Sequence, residues 1–217
     1  MPADYKLIIF DWDGTLMDSA QHIVSNMLHA IDALGLPKRE PQAISELIGL
    51  GLQDAFSRLF PDLDTQKTIA LLSQYRQRYG QVPQDSSLLF DGVHETLDQL
   101  RGAGYSLAVA TGKSRAGLDR ALLGSGIADY FCMTRCADES ADKPHPQMLF
   151  DILHTTDHAH HAALMVGDTE YDMHMAQNAK VHGLAVECGV HAPVRLQDAG
   201  ARAVLPSVAD LPAWLGL

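Results

Sequence analysis

This sequence is short of positive charge. Its 217 residues carry 16 Lys and Arg against 27 Asp and Glu, a formal net charge of −11 and a pI near 5.3. A nucleic-acid backbone or an anionic bilayer binds through a basic face, so neither is an expected partner. Long apolar runs are missing too: none approaches the roughly 18 residues that span a bilayer, and residues 1–5 lack the basic and apolar regions of a secretory leader. The expected location is the cytoplasm. Cysteine is scarce, and Cys132, Cys136 and Cys188 are odd in number and unlike a disulfide framework, which reads as reduced packing thiols. The histidines at 154, 158, 160 and 161 have no second ligand pair at zinc-site spacing and are read as solvated. Apolar residues, at 47%, still suffice for a packed core, and the length suits one large domain or one domain carrying a smaller insertion.

What is present is a series of short apolar runs that each stop at a polar cluster. Residues 7–10, Leu-Ile-Ile-Phe, read as a fully buried parallel strand, and the chain continues Asp11-Trp12-Asp13-Gly14-Thr15. A carboxylate at such a strand end lies in the crevice where open α/β sheets bind ligands, and Asp13 can point into the same space. One carboxylate is a competent nucleophile for a two-step displacement, and a second beside it can serve as acid and then base. Two adjacent anions call for a hard cation, and Mg²⁺ with carboxylate and water ligands fits. Residues 18–88 show no strand signal. Ser19 or Asp18 is a good helix N-cap, and the apolar spacing gives four helices: one to about residue 34, one opened by Pro41 and carrying Ile44, Leu47 and Ile48, one over residues 52–60, and one over residues 64–79.

From Phe90 helices and strands alternate. A strand over residues 107–110 stops at Thr111-Gly112-Lys113-Ser114, where a hydroxyl, a closely approachable N–H and a following helix N-terminus suit an anion. Lys113 and Arg115 are read as solvated charges. Residues 131–134 read as a short strand, followed by Asp142-Lys143-Pro144-His145-Pro146, in which the prolines restrict a lysine that can act as a fixed point charge. Leu164-Met165-Val166-Gly167 forms another strand ending at Asp168, and Asp172, four residues on, can face the same crevice. Residues 184–186 and 203–205 read as further strands, and residues 211–215 as a terminal turn or helix.

Asp-x-Asp-Gly-Thr, Thr-Gly, Lys-Pro-x-Pro and Gly-Asp-x-x-x-Asp, in this order, resemble the four motifs of the haloacid dehalogenase (HAD) superfamily. The resemblance implies an α/β fold: a Rossmann-like, doubly wound parallel sheet core formed by residues 1–17 and 89–217, with an inserted helical cap at 18–88. It implies that Asp11 attacks phosphorus to give an aspartyl phosphate and that Asp13 protonates the leaving oxygen and then activates water. Thr111 and Gly112 would hold the phosphoryl group, and Lys143 would neutralise nucleophile and phosphoryl oxygens. Mg²⁺ would be ligated by Asp11, Asp168 and the main-chain carbonyl of Asp13, with Asp172 supporting it from behind. The expected activity is Mg²⁺-dependent hydrolysis of a small phosphorylated metabolite, phosphoglycolate-like, by a monomer or homodimer. A phosphomutase or pyrophosphatase of the same superfamily is the alternative. Dehalogenation is disfavoured, because halide leaves without a proton and an acid at position 13 would be idle. A signalling receiver domain carries its acceptor Asp on a later strand and has no helical insertion of roughly 70 residues.

Overall fold

The computed structural model describes residues 4–217. Six strands, β1 (Leu7–Phe10), β2 (Ser106–Thr111), β3 (Met133–Cys136), β4 (Ala163–Gly167), β5 (His182–Val186) and β6 (Val204–Leu205), form one sheet in the order β3-β2-β1-β4-β5-β6. Every pairing is parallel. Side chains alternate across it: Ile8, Phe10, Leu107, Val109, Leu164 and Val166 face one layer, Leu7, Ile9, Ala108, Ala110 and Met165 the other. Helices α5 (Val93–Gly102), α6 (Arg115–Ser125) and α10 (Leu211–Leu215) cover the first face, while α7 (Gln147–Thr156) and α8 (Glu170–Asn178) cover the second. With both faces covered, the strands need no polar residue until they end, which is why they read as apolar runs. The short α9 (Pro193–Asp198) buries Leu196 against Met173 and Ala185 beside the sheet.

Strand β1 sits between β2 and β4, so the chain departs from it in opposite directions on its two sides. The crevice at such a switch point lies beyond the carboxyl end of the strand, where Asp11 stands.

Four helices, α1 (Ala20–Ala33), α2 (Pro41–Ser45), α3 (Leu52–Leu59) and α4 (Thr65–Tyr79), follow β1 directly and bury an apolar cluster of their own, including Met27, Ile31, Ile44, Phe56, Leu71 and Tyr75. The chain leaves and re-enters the sheet region at adjacent points: Asp18 N donates to Leu88 O at 2.7 Å and Phe90 N to Leu16 O at 3.0 Å. Asp64 caps α4 by accepting from Lys67 N at 2.8 Å.

Some expected boundaries move. The third strand runs over Met133–Cys136 rather than 131–134, because Phe131 turns inward to meet Phe10 and Trp12 edge-on, leaving the next residues to pair with β2. Helix α2 stops at Ser45, before Leu47 and Ile48, whose N–H groups turn back to Ile44 O and Ser45 O, three residues earlier, instead of continuing the helical ladder. The three cysteines are free thiols; Cys136 is buried and Cys188 half-buried, but Cys132 is exposed and so is not a packing residue. Among the described residues no helix is long and apolar enough to cross a membrane.

Candidate active site

The site is built around one lysine. The loop after β3 delivers Lys143 into the interior, where its Nζ lies 2.7 Å from Asp11 Oδ1 and 2.7 Å from Asp172 Oδ1, with no side-chain exposure. Asp11 extends β1 by one hydrogen bond, its N donating to Val166 O at 2.9 Å. Asp172 lies in the first turn of α8; its Oδ2 accepts from Thr169 N at 3.1 Å and Thr169 Oγ1 at 2.7 Å, and its N donates back to Thr169 Oγ1 at 3.4 Å, which completes a capping box. Both oxygens of Asp172 are therefore committed. Asp168, at the end of β4, accepts from Thr15 Oγ1 at 2.9 Å and from Val190 N at 3.0 Å. The turn bearing Thr15 passes so close that a side chain at Gly14 would strike the Asp168 carboxylate, and Gly14 also holds φ +84°.

Asp11, Asp168 and Asp172 present oxygens within 4.8 Å of one another, all buried, against one ammonium. Burial pushes the Asp11 carboxyl up to about 7; Lys143 opposes the shift, and Asp172 and Asp13 reinforce it. Burial, with Asp11 and Asp172 adding to it, also holds Asp168 well above the usual carboxylate range. Asp11 Oδ2 accepts no hydrogen bond. An all-oxygen donor set with surplus negative charge and an uncommitted buried oxygen fits a hard divalent cation.

Asp13 is 7% exposed and belongs to a second cluster. Ser19 Oγ donates to its Oδ1 at 2.5 Å, and Lys113 Nζ lies 2.8 Å from the same oxygen and 3.1 Å from Tyr79 OH on α4. Lys113 is thus 8% exposed and ion-paired, not solvated as the sequence suggested. Burial works against its charge, yet Asp13 and Tyr79 outweigh burial and raise it above the ordinary lysine range. Ser19, which reads as a helix cap, makes no capping bond because its hydroxyl serves Asp13. Arg115 is half-buried and pairs with Glu139 at 2.7 Å and Asp119 at 3.1 Å, away from Asp11.

Thr111 ends β2 beside β1, fully buried, and its Oγ1 accepts from Lys113 N at 3.2 Å. Gly112 follows against the turn between α2 and α3: a Cβ there would lie 2.5 Å from Leu50 O and 2.7 Å from Gly49 O. Ser114 caps α6 through Gly117 N at 3.3 Å, aiming its N-terminus at the crevice. A cavity of about 310 Å³ joins these parts, lined by Asp11, Asp13, Thr111, Gly112 and Lys113 from the sheet unit and by Met27, Gln53, Tyr75, Arg76 and Tyr79 from the helical insertion. Lys143, Asp168 and Asp172 stand behind Asp11 and do not line it. The histidines at 154, 160 and 161 are exposed and His158 half-buried, outside the carboxylate cluster. Sequence reasoning missed Ser19 and Tyr79 and misread Lys113; only Lys113 carried a signal, its position directly after Thr111-Gly112.

The fold brings carboxylates, a lysine and a small polar cradle to the switch point of a doubly wound sheet. A profile of the haloacid dehalogenase-like hydrolases matches residues 8–186, and the chain belongs to that family. It is an enzyme of the family's phosphatase type. Among curated proteins it is 34% identical over 209 residues to "Probable phosphatase IndB" of Dickeya dadantii, covering 94% of this chain and 91% of that one. It is 30% identical over 180 residues to pyrophosphatase PpaX of Bacillus cereus, covering 82% of each. A solved hydrolase from Pseudomonas syringae superposes with a TM-score of 0.87 at 23% identity over 98% of both chains, which speaks for the fold.

Proposed function

We propose that this protein is a Mg²⁺-dependent phosphomonoesterase that works through an aspartyl phosphate on Asp11. The observation that carries the reading is the pairing, in one cavity, of an Asp11 oxygen that accepts no hydrogen bond with a second carboxylate, Asp13. In the first step a carboxylate oxygen of Asp11 bonds to phosphorus, the bond from phosphorus to the ester oxygen breaks, and Asp13 gives that oxygen a proton. In the second, Asp13 takes a proton from water as the water oxygen bonds to phosphorus, and cleavage of the acyl phosphate releases phosphate and restores Asp11. Thr111 and the Gly112 N–H hold the phosphoryl oxygens. Lys143 offsets their charge, with Asp172 fixing its position. Asp11, Asp168 and the main-chain carbonyl of Asp13 would hold Mg²⁺, which when bound offsets the charge between nucleophile and phosphoryl group.

Residues 18–88 act as a cap over a core of residues 1–17 and 89–217, and close the cavity against water. Its leaving-group side carries Lys113, Arg76 and Arg120 in a chain whose net charge is −11. A leaving group with its own anionic group would meet the Lys113 ammonium directly beside Asp13. This supports a phosphoglycolate-like ester. Pyrophosphate meets the same description, and a sugar bisphosphate would instead make the enzyme a mutase. A screen of phosphorylated metabolites read by released phosphate tests the function. Phosphoglycolate should exceed an uncharged alkyl phosphate of equal size, and release from no compound would refute hydrolysis.

Two further outcomes are expected. Exhaustive chelation should remove activity on p-nitrophenyl phosphate, and added Mg²⁺ should restore it; full activity after chelation and dialysis would exclude the cation. Asp13→Asn keeps the main chain and loses the proton chemistry. With p-nitrophenyl phosphate, whose leaving group needs almost no proton, rapid quench should show a burst of at most one equivalent of nitrophenolate and then slow phosphate release. Unchanged turnover of an alkyl ester by this variant would remove Asp13 from the mechanism.

A further inference from the structure

A third cluster, of charged and aromatic groups, lies outside the proposed chemistry, where the turn after α2 meets the sheet unit. Glu46 O accepts from Tyr171 OH at 3.0 Å and lies 3.2 Å from His191 Nε2. Because His191 Nδ1 accepts from Glu170 N at 3.0 Å, the ring must carry its hydrogen on Nε2, and it donates to Glu46 O. The Glu46 side chain pairs with Arg195 Nη1, while Arg195 Nε and Nη2 bind both oxygens of Glu170 at 2.7 and 2.6 Å. Such a forked pair fixes a guanidinium in orientation as well as position. Among the described residues, Arg195–Glu46 is the only Lys or Arg ion pair joining residues 18–88 to the rest of the chain.

Glu46 is three residues from Gly49 and four from Leu50, whose carbonyls press on Gly112. The segment 46–51 is therefore held at one end by His191, Tyr171 and Arg195 and lies at the other over the phosphoryl cradle. The loop supplying His191 also serves the carboxylates, since Val190 N donates to Asp168 and the Val190 side chain packs on the apolar cluster of α1–α4. His191 and Arg195 lie beyond residues 8–186, the stretch that matches the family profile.

We propose that Arg195, His191 and Tyr171 form a seat for Glu46 that holds residues 46–51 across the active site, which makes Arg195 and His191 positioning residues for the reaction. Beside the adjacent crossings at residues 18 and 88–90 and the Lys113–Tyr79 hydrogen bond, the seat is a further attachment of the helical unit, made at the segment that lies against Gly112. It acts through Gly49 and Leu50 and touches no reacting atom. The proposal rests on residues 18–88 being a cap.

The test is a double-mutant cycle on the full chain with Glu46→Gln, Arg195→Met and both together, read by amide hydrogen exchange of residues 47–53 and by kcat and KM. Exchange of 47–53 should quicken about tenfold in each single variant and no further in the double, with kcat/KM for a phosphate ester falling about tenfold. Arg195→Lys, which keeps the charge, should recover part of both. Wild-type exchange at 47–53 in Arg195→Met, or single effects that simply add, would overturn the seat even if the melting temperature fell. Should Arg195→Met not fold, Glu46→Gln carries the same expectation and leaves the Arg195–Glu170 fork intact. The exchange readout needs no substrate, so absence of turnover in the wild type would defeat the phosphatase reading and leave the seat decided separately.

Discussion

Asp11→Asn should yield a folded protein whose phosphate release is slower by at least about four orders of magnitude, a loss typical of a removed nucleophile. The amide cannot form the acyl phosphate, and it also removes one carboxylate from the cation set. Stability should move the other way. Burial already holds the Asp11 carboxyl up at about 7, so in cation-free protein near neutral pH the native state carries a charge it disfavours. The neutral, nearly isosteric Asn relieves that, and the melting temperature by circular dichroism should be equal to or above that of the wild type. Residual turnover within tenfold of the wild type would move the nucleophile elsewhere.

Lys143→Met should damage both properties together. Methionine fills much of the same volume but leaves Asp11 and Asp172, both fully buried, without the ammonium that now lies 2.7 Å from each. Breaking a buried pair by removing one partner costs about 3–5 kcal/mol, and turnover should fall below detection because nothing offsets the charge of nucleophile and phosphate. The pH dependence has a definite sign. Lys143 is raised above its ordinary value by Asp11 and Asp172 despite the opposing effect of burial, so its stabilisation is complete at neutral pH and lost only in strong alkali. In the variant the Asp11 carboxyl, already raised by burial, loses the ammonium that opposes the shift, the folded state binds more protons than the unfolded one, and stability falls as pH rises. The deficit in melting temperature should therefore be larger at pH 8 than at pH 5. A deficit independent of pH would mean that lost packing, not unpaired charge, is responsible.

The sheet and its strand-end carboxylates were legible because both rest on local signals. Leu7–Phe10 and Ala163–Gly167 are apolar runs that stop at Asp11 and Asp168, and their faces are covered on both sides. Lys143 was legible only through its company, because a lone lysine is ordinarily a surface charge and its assignment leaned on the other three motifs, whose Asp11 and Asp172 are the partners that bury it. Lys113 was not, since what buries it is Tyr79, 34 residues earlier. Ser19 has the composition and position of a helix cap, and only the nearby Asp13 carboxylate diverts its hydroxyl. Glu46 and Arg195 are 149 residues apart, and no periodicity ties one to the other. The residues lost to sequence reading are those whose partners come from a different unit of the fold.

The central position of β1 has a consequence for how the chain is made. Leu7 pairs with Ser106 on one side and Ala163 on the other, so β1 must wait for a long stretch of later chain before either neighbour exists. Helices α1–α4, with short loops and an apolar cluster of their own, can collapse while β1 still waits. During that interval Leu-Ile-Ile-Phe stands with both edges unpaired, the kind of segment that seeds aggregation. Yield from a fast-translating host should therefore depend more on what shields residues 7–10 during synthesis than on the stability of the finished fold.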